Sequence, residues 1–361
     1  VANRRKQPAI ASPFDVHGLG PTLAAVRTNC HISDAWHATD YSLCVYLLKM
    51  REYFRWEKNI PLNMALPQQE LSDWLTQREN YWESLTDKKF IPIPVDDVPY
   101  DPFDSEGINA AINPVGYVYS SGFGRNMKPV FFLGALEHQY HHNDRIMFAA
   151  GREFARELSA PPAMSQGRTI YIRRESLRRM LWEKIEEWRW NRPENAMQRA
   201  INCYDFENAP EQALDEMTEN EIRSVMLHEA GEVQAGVLLG EEWENLLAAI
   251  PHSKAEIMVR AVRDNLADML STLPGLLQQP DTASLHFYMA NMNNMRKSLF
   301  PGILAAYETW IRTGDILELE QITERAATHW QWLAENILDL FREHGNKCQP
   351  ALIALIEANT L

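Results

Sequence analysis

The sequence predicts a mainly α protein: a multi-helix, bundle-like core with a small antiparallel β-meander inserted at about 116–173. Three observations carry this. Apolar residues recur at helical spacing before residue 90 and again from Ser176 to the C-terminus. Between these stretches, GYVYSSGFGR, KPVFFLGALEHQYHHND, RIMFAAG and RTIYIRR are β-branched and aromatic runs divided by Gly and Asn-Asp turn signals. A chain of 361 residues with 45% apolar composition is also long enough to enclose a full core.

Residues 1 to about 20 are polar, Pro-containing and irregular, and read as an arm. Pro21 starts a short helix, PTLAAVRTNCH. Asp34 then caps a long helix, roughly 34–58, whose apolar residues lie almost all round, which predicts a central, buried element. Its one polar stripe is His37, Asp40, Cys44, Arg51 and Arg55. Pro67 begins an amphipathic helix, and FIPIPVDDVPYDPF is an extended crossover. In the meander, Asn143-Asp144 reads as a hairpin turn. The segment REFARELSAPPAM reads as a helical piece before the last strand, tied to the sheet by ion pairs of Arg152, Arg156 and Glu157. After Arg173 the chain reads as helix throughout. Ser253 and Glu256 form a capping box there, the Met- and Asn-rich stretch 281–298 reads as core, and Asp315 caps a long helix to about 344. Three regions result, 1–115, 116–175 and 176–361, expected to close into one compact unit.

Charge excludes some functions. The formal net charge is −14, from 35 basic and 49 acidic residues, which argues against a general nucleic-acid binder and against attraction to an anionic membrane. The longest uncharged apolar run, Val130 to Leu136, is too short to span a bilayer, so no membrane insertion is expected. Cys30, Cys44, Cys203 and Cys348 lie far apart without metal or redox spacing, and read as reduced thiols of a cytoplasmic protein. Eleven Trp and twelve Tyr favour a dense interior or the interface of a homo-oligomer.

Spacing points to chemistry in one stretch, Thr218 to Gly240. Thr218 and Glu221 are placed as a capping box, with Gly240 as the C-terminal stop. Glu221, Val225, His228, Glu232 and Leu239 then share one helical face. A His and a Glu one turn apart suit one divalent metal ion, iron or zinc, or an acid/base pair. On this reading His228, Glu232 and Glu221 are ligands and Glu229 is a general base. His37, Asp40, Asp264 and Asp268 are candidates to complete the shell. The competing reading places the apolar stripe Ile222, Met226, Ala230, Val233 and Val237 inward and leaves the polar face wet, with Glu256, Arg260 and Asp264 as an ion-pair ladder. A second cluster is Glu137, His138, His141 and His142. A strand puts His138, Tyr140 and His142 on one face, whereas a helix pairs Glu137 with His141.

His228, Glu229 and Glu232 resemble the zinc-hydrolase helix motif, with Glu in place of its second His. The Glu221 to His228 spacing resembles one helix of the helical non-haem di-iron oxidases. CVYLLKMREYFRWEKNIPL together with LHEAGE is similar to a family of bacterial hypothetical proteins with no assigned activity, so this last resemblance carries over no catalytic residue. Two functions follow as expectations. One is a metal-binding helical protein, a metal-dependent oxidase or hydrolase acting on a small molecule. The other is a non-enzymatic helical assembly or scaffold protein.

Overall fold

The computed structural model describes residues 18–124, 127–142 and 145–361, with His141 and His142 described by backbone alone. The expected Asn143-Asp144 turn and most of the expected N-terminal arm therefore lie outside the described residues. The chain divides into two compact units, residues 1–179 and 180–361, whose boundary falls inside helix α5 (Arg174–Asn191).

Unit 1 opens with α1 (Gly20–His37), which runs straight through Asp34. Asp34 is not a cap: it is fully buried, and its carboxylate accepts from Lys128 Nζ at 2.8 Å and from the Leu158 N–H at 3.0 Å. An interior cation and amide thus use the oxygens that a cap would have offered to its own helix. Helix α2 (Leu43–Glu57) buries Met50, Tyr53, Phe54 and Arg55 but leaves Leu43 71%, Leu48 59% and Leu47 44% exposed. It is therefore not the central, all-round buried helix expected. Helix α3 (Gln68–Glu83) follows where Pro67 placed it, and the Pro-rich crossover contains a short hairpin, β1 (Ile93–Val95) and β2 (Val98–Tyr100).

The fold class needs correction here. Strands β3 (Tyr117–Phe123), β4 (Pro129–His142), β5 (Arg145–Arg156), β6 (Ala163–Gln166) and β7 (Thr169–Arg173) form one sheet in the order β3-β4-β5-β7-β6. β5 and β7 run parallel while the other pairs are antiparallel. This mixed, five-stranded sheet is the framework of unit 1, not a small antiparallel insertion in a helical bundle. Residues 152–156, expected as helix, are the end of β5. The reason is burial on both sides: most of β5 is covered, so period-two alternation is lost and the Arg/Glu spacing mimics a helix. One face carries Val26 of α1, Phe131 and Leu133, and another cluster joins Val118, Phe132, Phe148 and Tyr171. Helix α4 (Ser105–Ile112) seals the free edge of β3. Asn109 Nδ2 donates to Tyr119 O at 2.7 Å and its Oδ1 accepts from Tyr119 N at 2.8 Å, in the place of a missing strand.

Beneath the sheet lies a fully buried charge triad. Arg173 donates to Glu153 at 2.5 Å and to Glu157 at 3.3 Å, and all three are at most 1% exposed. Ser176 N–H adds a bond to Glu153 at 3.1 Å, and the Ala160 N–H one to Glu157 at 2.9 Å.

Unit 2 is helical throughout its described residues: α6 (Ala196–Asn202), α7 (Pro210–Ala249), α8 (Lys254–Ala267), α9 (Leu273–Leu277), α10 (Ala283–Asn291), α11 (Asn294–Leu299), α12 (Pro301–Thr313), α13 (Leu317–His344) and α14 (Gln349–Ala358). Trp243, Phe300 and Trp330 sit fully buried at its centre. Helix α7 begins at Pro210, so Thr218 is two turns inside and its hydroxyl donates to Leu214 O at 2.6 Å. The capping box expected of Thr218 and Glu221 is absent. Gly240 does interrupt the helix, at φ +66° and ψ −171°. Ser253 caps α8 as expected, accepting from Glu256 N at 3.0 Å, and Glu256 in turn accepts from the His252 N–H at 2.6 Å. No helix among the described residues is long and apolar enough to cross a membrane.

Candidate functional site

The face of α7 that carries His228 and Glu232 turns toward α8, and Gly231 sets how closely. A Cβ at 231 would stand 2.2 Å from the Ala267 carbonyl oxygen, so only glycine permits this approach. Past Ala267 the helix opens into a π turn, 268–272, in which the Leu273 N–H donates to Asp268 O. Asp268 is thereby brought to His228, and Nδ1 and Oδ1 lie 2.9 Å apart. Thr272 Oγ1 donates to the same Oδ1 at 2.8 Å, and Arg296 of α11 pairs with Oδ2. Arg296 is itself held by Asn265 Oδ1 at 2.9 Å and Tyr288 at 3.0 Å.

Electrostatics follow from this arrangement. Burial opposes protonation of His228, but the hydrogen bond and charge of Asp268, with Glu232 and Glu229 nearby, outweigh it and push the imidazole up to about 9. Burial would raise Asp268 as well, but Arg296, His228 and Thr272 hold it well below the usual carboxylate range. Burial and then the Glu232 charge push Asp264 up to about 6. Glu232 pairs with Arg263 at 3.1 Å. At neutral pH the cluster is therefore an imidazolium and two guanidinium groups set among carboxylates.

Of the residues singled out from sequence, the structure joins His228 to Asp268 and leaves Glu232 one turn away in its own ion pair. Asp264 feels both charges. Glu229 is half-buried on the adjoining side of α7. His37 Nδ1 and Asp40 Oδ2 lie 2.8 Å apart, paired with each other. His138 lies in a strand, as one of the two alternatives had it, exposed with its ring 5.8 Å from that of Tyr140. The His141 and His142 side chains lie outside the described residues. Among the described residues no group of three or more His, Cys, Asp or Glu converges as a metal site would require.

Glu221 stands apart from the cluster in its chemistry. It is 3% exposed and its Oε1 has no hydrogen-bond partner among the described residues. Burial pushes its carboxyl up to about 7 from an ordinary 4.5. A proton bound more tightly in the folded state stabilises it below pH 4.5, and that contribution is lost as pH rises through about 7. Glu221→Gln removes the ionisation penalty. It is expected to raise stability at pH 8.5 by on the order of 3 kcal/mol, with no gain at pH 4.5, in hydrogen exchange of the α7 amides at the two pH values. If Glu221 held a metal, the same substitution would lower stability at pH 8.5.

A different site was invisible to sequence spacing. In unit 1 a cavity of about 230 Å³ is lined by Arg156, at the end of β5, and Glu175, in the first turn of α5. Arg156 is 2% exposed and lies over Trp56 at 4.9 Å and Tyr53 at 5.5 Å, but its Nε and Nη2 have no hydrogen-bond partner among the described residues. The ion pair expected to tie Arg156 to the sheet is not present among the described residues. Arg55 also lines the cavity, with Nε 3.1 Å from Glu52 and Nη1 2.8 Å from Met64 O. A buried guanidinium with two nitrogens unmet is costly.

Two models of one family match the chain. That described as "Family of unknown function (DUF6866) N-terminal domain" matches residues 22–173, and "Family of unknown function (DUF6866) C-terminal domain" matches residues 178–359. No curated protein and no solved structure matches.

Proposed function

The chain belongs to the DUF6866 family, whose function is unknown, and from that premise we propose that the protein binds a small oxyanion, carboxylate or phosphate, in the cavity of unit 1. The observation that carries this reading is Arg156. Its guanidinium is buried and flanked by two aromatic rings, and its Nε and Nη2 have no hydrogen-bond partner among the described residues. Such a fork binds planar oxygens in pairs, and low local dielectric strengthens the bond.

The His228 cluster is read as a structural charge network. Both Asp268 oxygens already accept hydrogen bonds, and the imidazole is held protonated, whereas a metal takes it neutral. Metal binding by His228, Glu232 and Glu221 is the competing proposal, and the Glu221→Gln experiment separates the two.

Arg156→Met tests the oxyanion reading. Titration calorimetry with phosphate and with 4-methylpentanoate should show binding to the unchanged protein and none to the variant. The variant should also melt at a higher temperature, because a buried guanidinium with two unmet nitrogens is replaced by an apolar chain of similar length. Equal binding by both proteins would overturn the proposal.

A further inference from the structure

Charge is not balanced in the lining of the unit 1 cavity. Arg55, Arg156, Arg178 and Arg179 line it against Glu52 and Glu175, a surplus of two positive charges that pairing within the group does not alter. These arginines do different things. Arg55 uses its donors on the wall itself: Nη1 donates to Pro61 O at 2.6 Å and to Met64 O at 2.8 Å, and Nε to Glu52 at 3.1 Å. Arg179 Nη2 donates to Ala160 O at 3.3 Å. Both hold backbone in place and add charge to the lining. Arg156, 2% exposed, still has Nε and Nη2 without a hydrogen-bond partner among the described residues. Those two nitrogens form one edge of the guanidinium, placed to donate side by side to two oxygens of one anion.

Resting on the oxyanion reading, we propose that the ligand is a phosphate monoester bound as its dianion, with the phosphate against Arg156 and the organic group beside Trp56, Ile60 and Leu62. Each simpler anion leaves something unmet. A carboxylate or a phosphodiester carries one negative charge and leaves half of the surplus uncompensated. A monoester carries close to two at neutral pH and offers three acceptor oxygens. Inorganic phosphate has that charge but leaves the apolar wall in contact with water. The depth of the lining suits an ester as well. Arg156 is buried, Trp56, Ile60 and Leu62 are half-buried, and Asn59 and Pro61 are exposed. A ligand charged at one end and apolar at the other matches that order. Glu175 does not oppose it strongly. Burial and the Glu153 charge push its carboxyl up to about 7, against the Glu153 N–H, Arg152 and Arg173, so its negative charge is only partial at neutral pH.

Calorimetric titration of the full chain at pH 8 with 3-methylbutyl phosphate, its methyl diester, 4-methylpentanoate and inorganic phosphate tests this. The monoester is expected to bind at least about tenfold tighter than each of the other three. Glu175→Gln keeps an oxygen to accept the Glu153 N–H and removes a negative charge from the lining. It should tighten the monoester by roughly tenfold and the diester by less, because the removed charge repels two units in one ligand and one in the other. Unchanged or weaker binding of the monoester by the folded variant would overturn the dianion. So would a diester or 4-methylpentanoate that binds the unmutated protein as tightly as the monoester, and the oxyanion reading would then stand. Inorganic phosphate binding as tightly would show that the organic group is not read, and the ester would be wrong. If a folded wild-type protein takes none of the four, both readings fall. The ligand series on the unmutated protein decides the matter even where the variant fails to fold.

Discussion

Asp268→Asn is expected to destabilise unit 2 by about 3–5 kcal/mol at pH 7. The substitution changes volume hardly at all, so no cavity contributes. It removes the one charge that Arg296 and His228 share, and Arg296 is 8% exposed, with nowhere to hydrate. The amide would also turn a donor toward a guanidinium that already donates. Hydrogen exchange of α8 and α11 amides is the appropriate measure, because a two-unit chain has no single unfolding free energy. NMR titration of His228 provides a second readout, since without Asp268 its protonation should move down from about 9. Unchanged exchange would mean that the network contributes nothing to the fold.

Arg173→Met should have an effect of similar size, about 3–5 kcal/mol at pH 7, in unit 1. It leaves Glu153 and Glu157 facing each other's charge with no exposure to water. The loss should shrink in acid, where the two carboxylates can take up protons in the variant. Exchange of β5 and β7 amides, measured at pH 5 and pH 7.5, checks both the size and its direction. A loss independent of pH would assign the effect to packing of the Arg173 stem over Phe132, 4.7 Å from the ring centre, and not to charge.

What could be read from sequence follows the range of the forces involved. Helix α3, the Ser253 cap and the break at Gly240 depend on neighbours within one turn, and the chain spells them out locally. The mixed sheet does not. Whether β7 lies beside β5 or beyond β6 depends on tertiary closure, and a strand buried on both faces loses the alternation that would announce it. Asp34 shows the same limit: a capping residue by local rules, it is taken over by Lys128, 94 positions away. At the His228 cluster the helix face was legible but its main partner, Arg296, was not. A lone arginine within FYMANMNNMR is the available signal, since a cation in so apolar a run needs a buried acid. Arg156 left no such trace, because the rings that flank it, Tyr53 and Trp56, lie about 100 positions away in sequence.

The π turn at 268–272 has a consequence for how this chain tolerates length changes. It holds one residue more than regular winding would need there. Losing one residue inside it would let the rod rewind into regular turns with the stretches before and after it close to their present phase. A shortening by one is therefore absorbed more readily here than in the regular turns of α8, where each lost residue turns everything beyond it by roughly 100°.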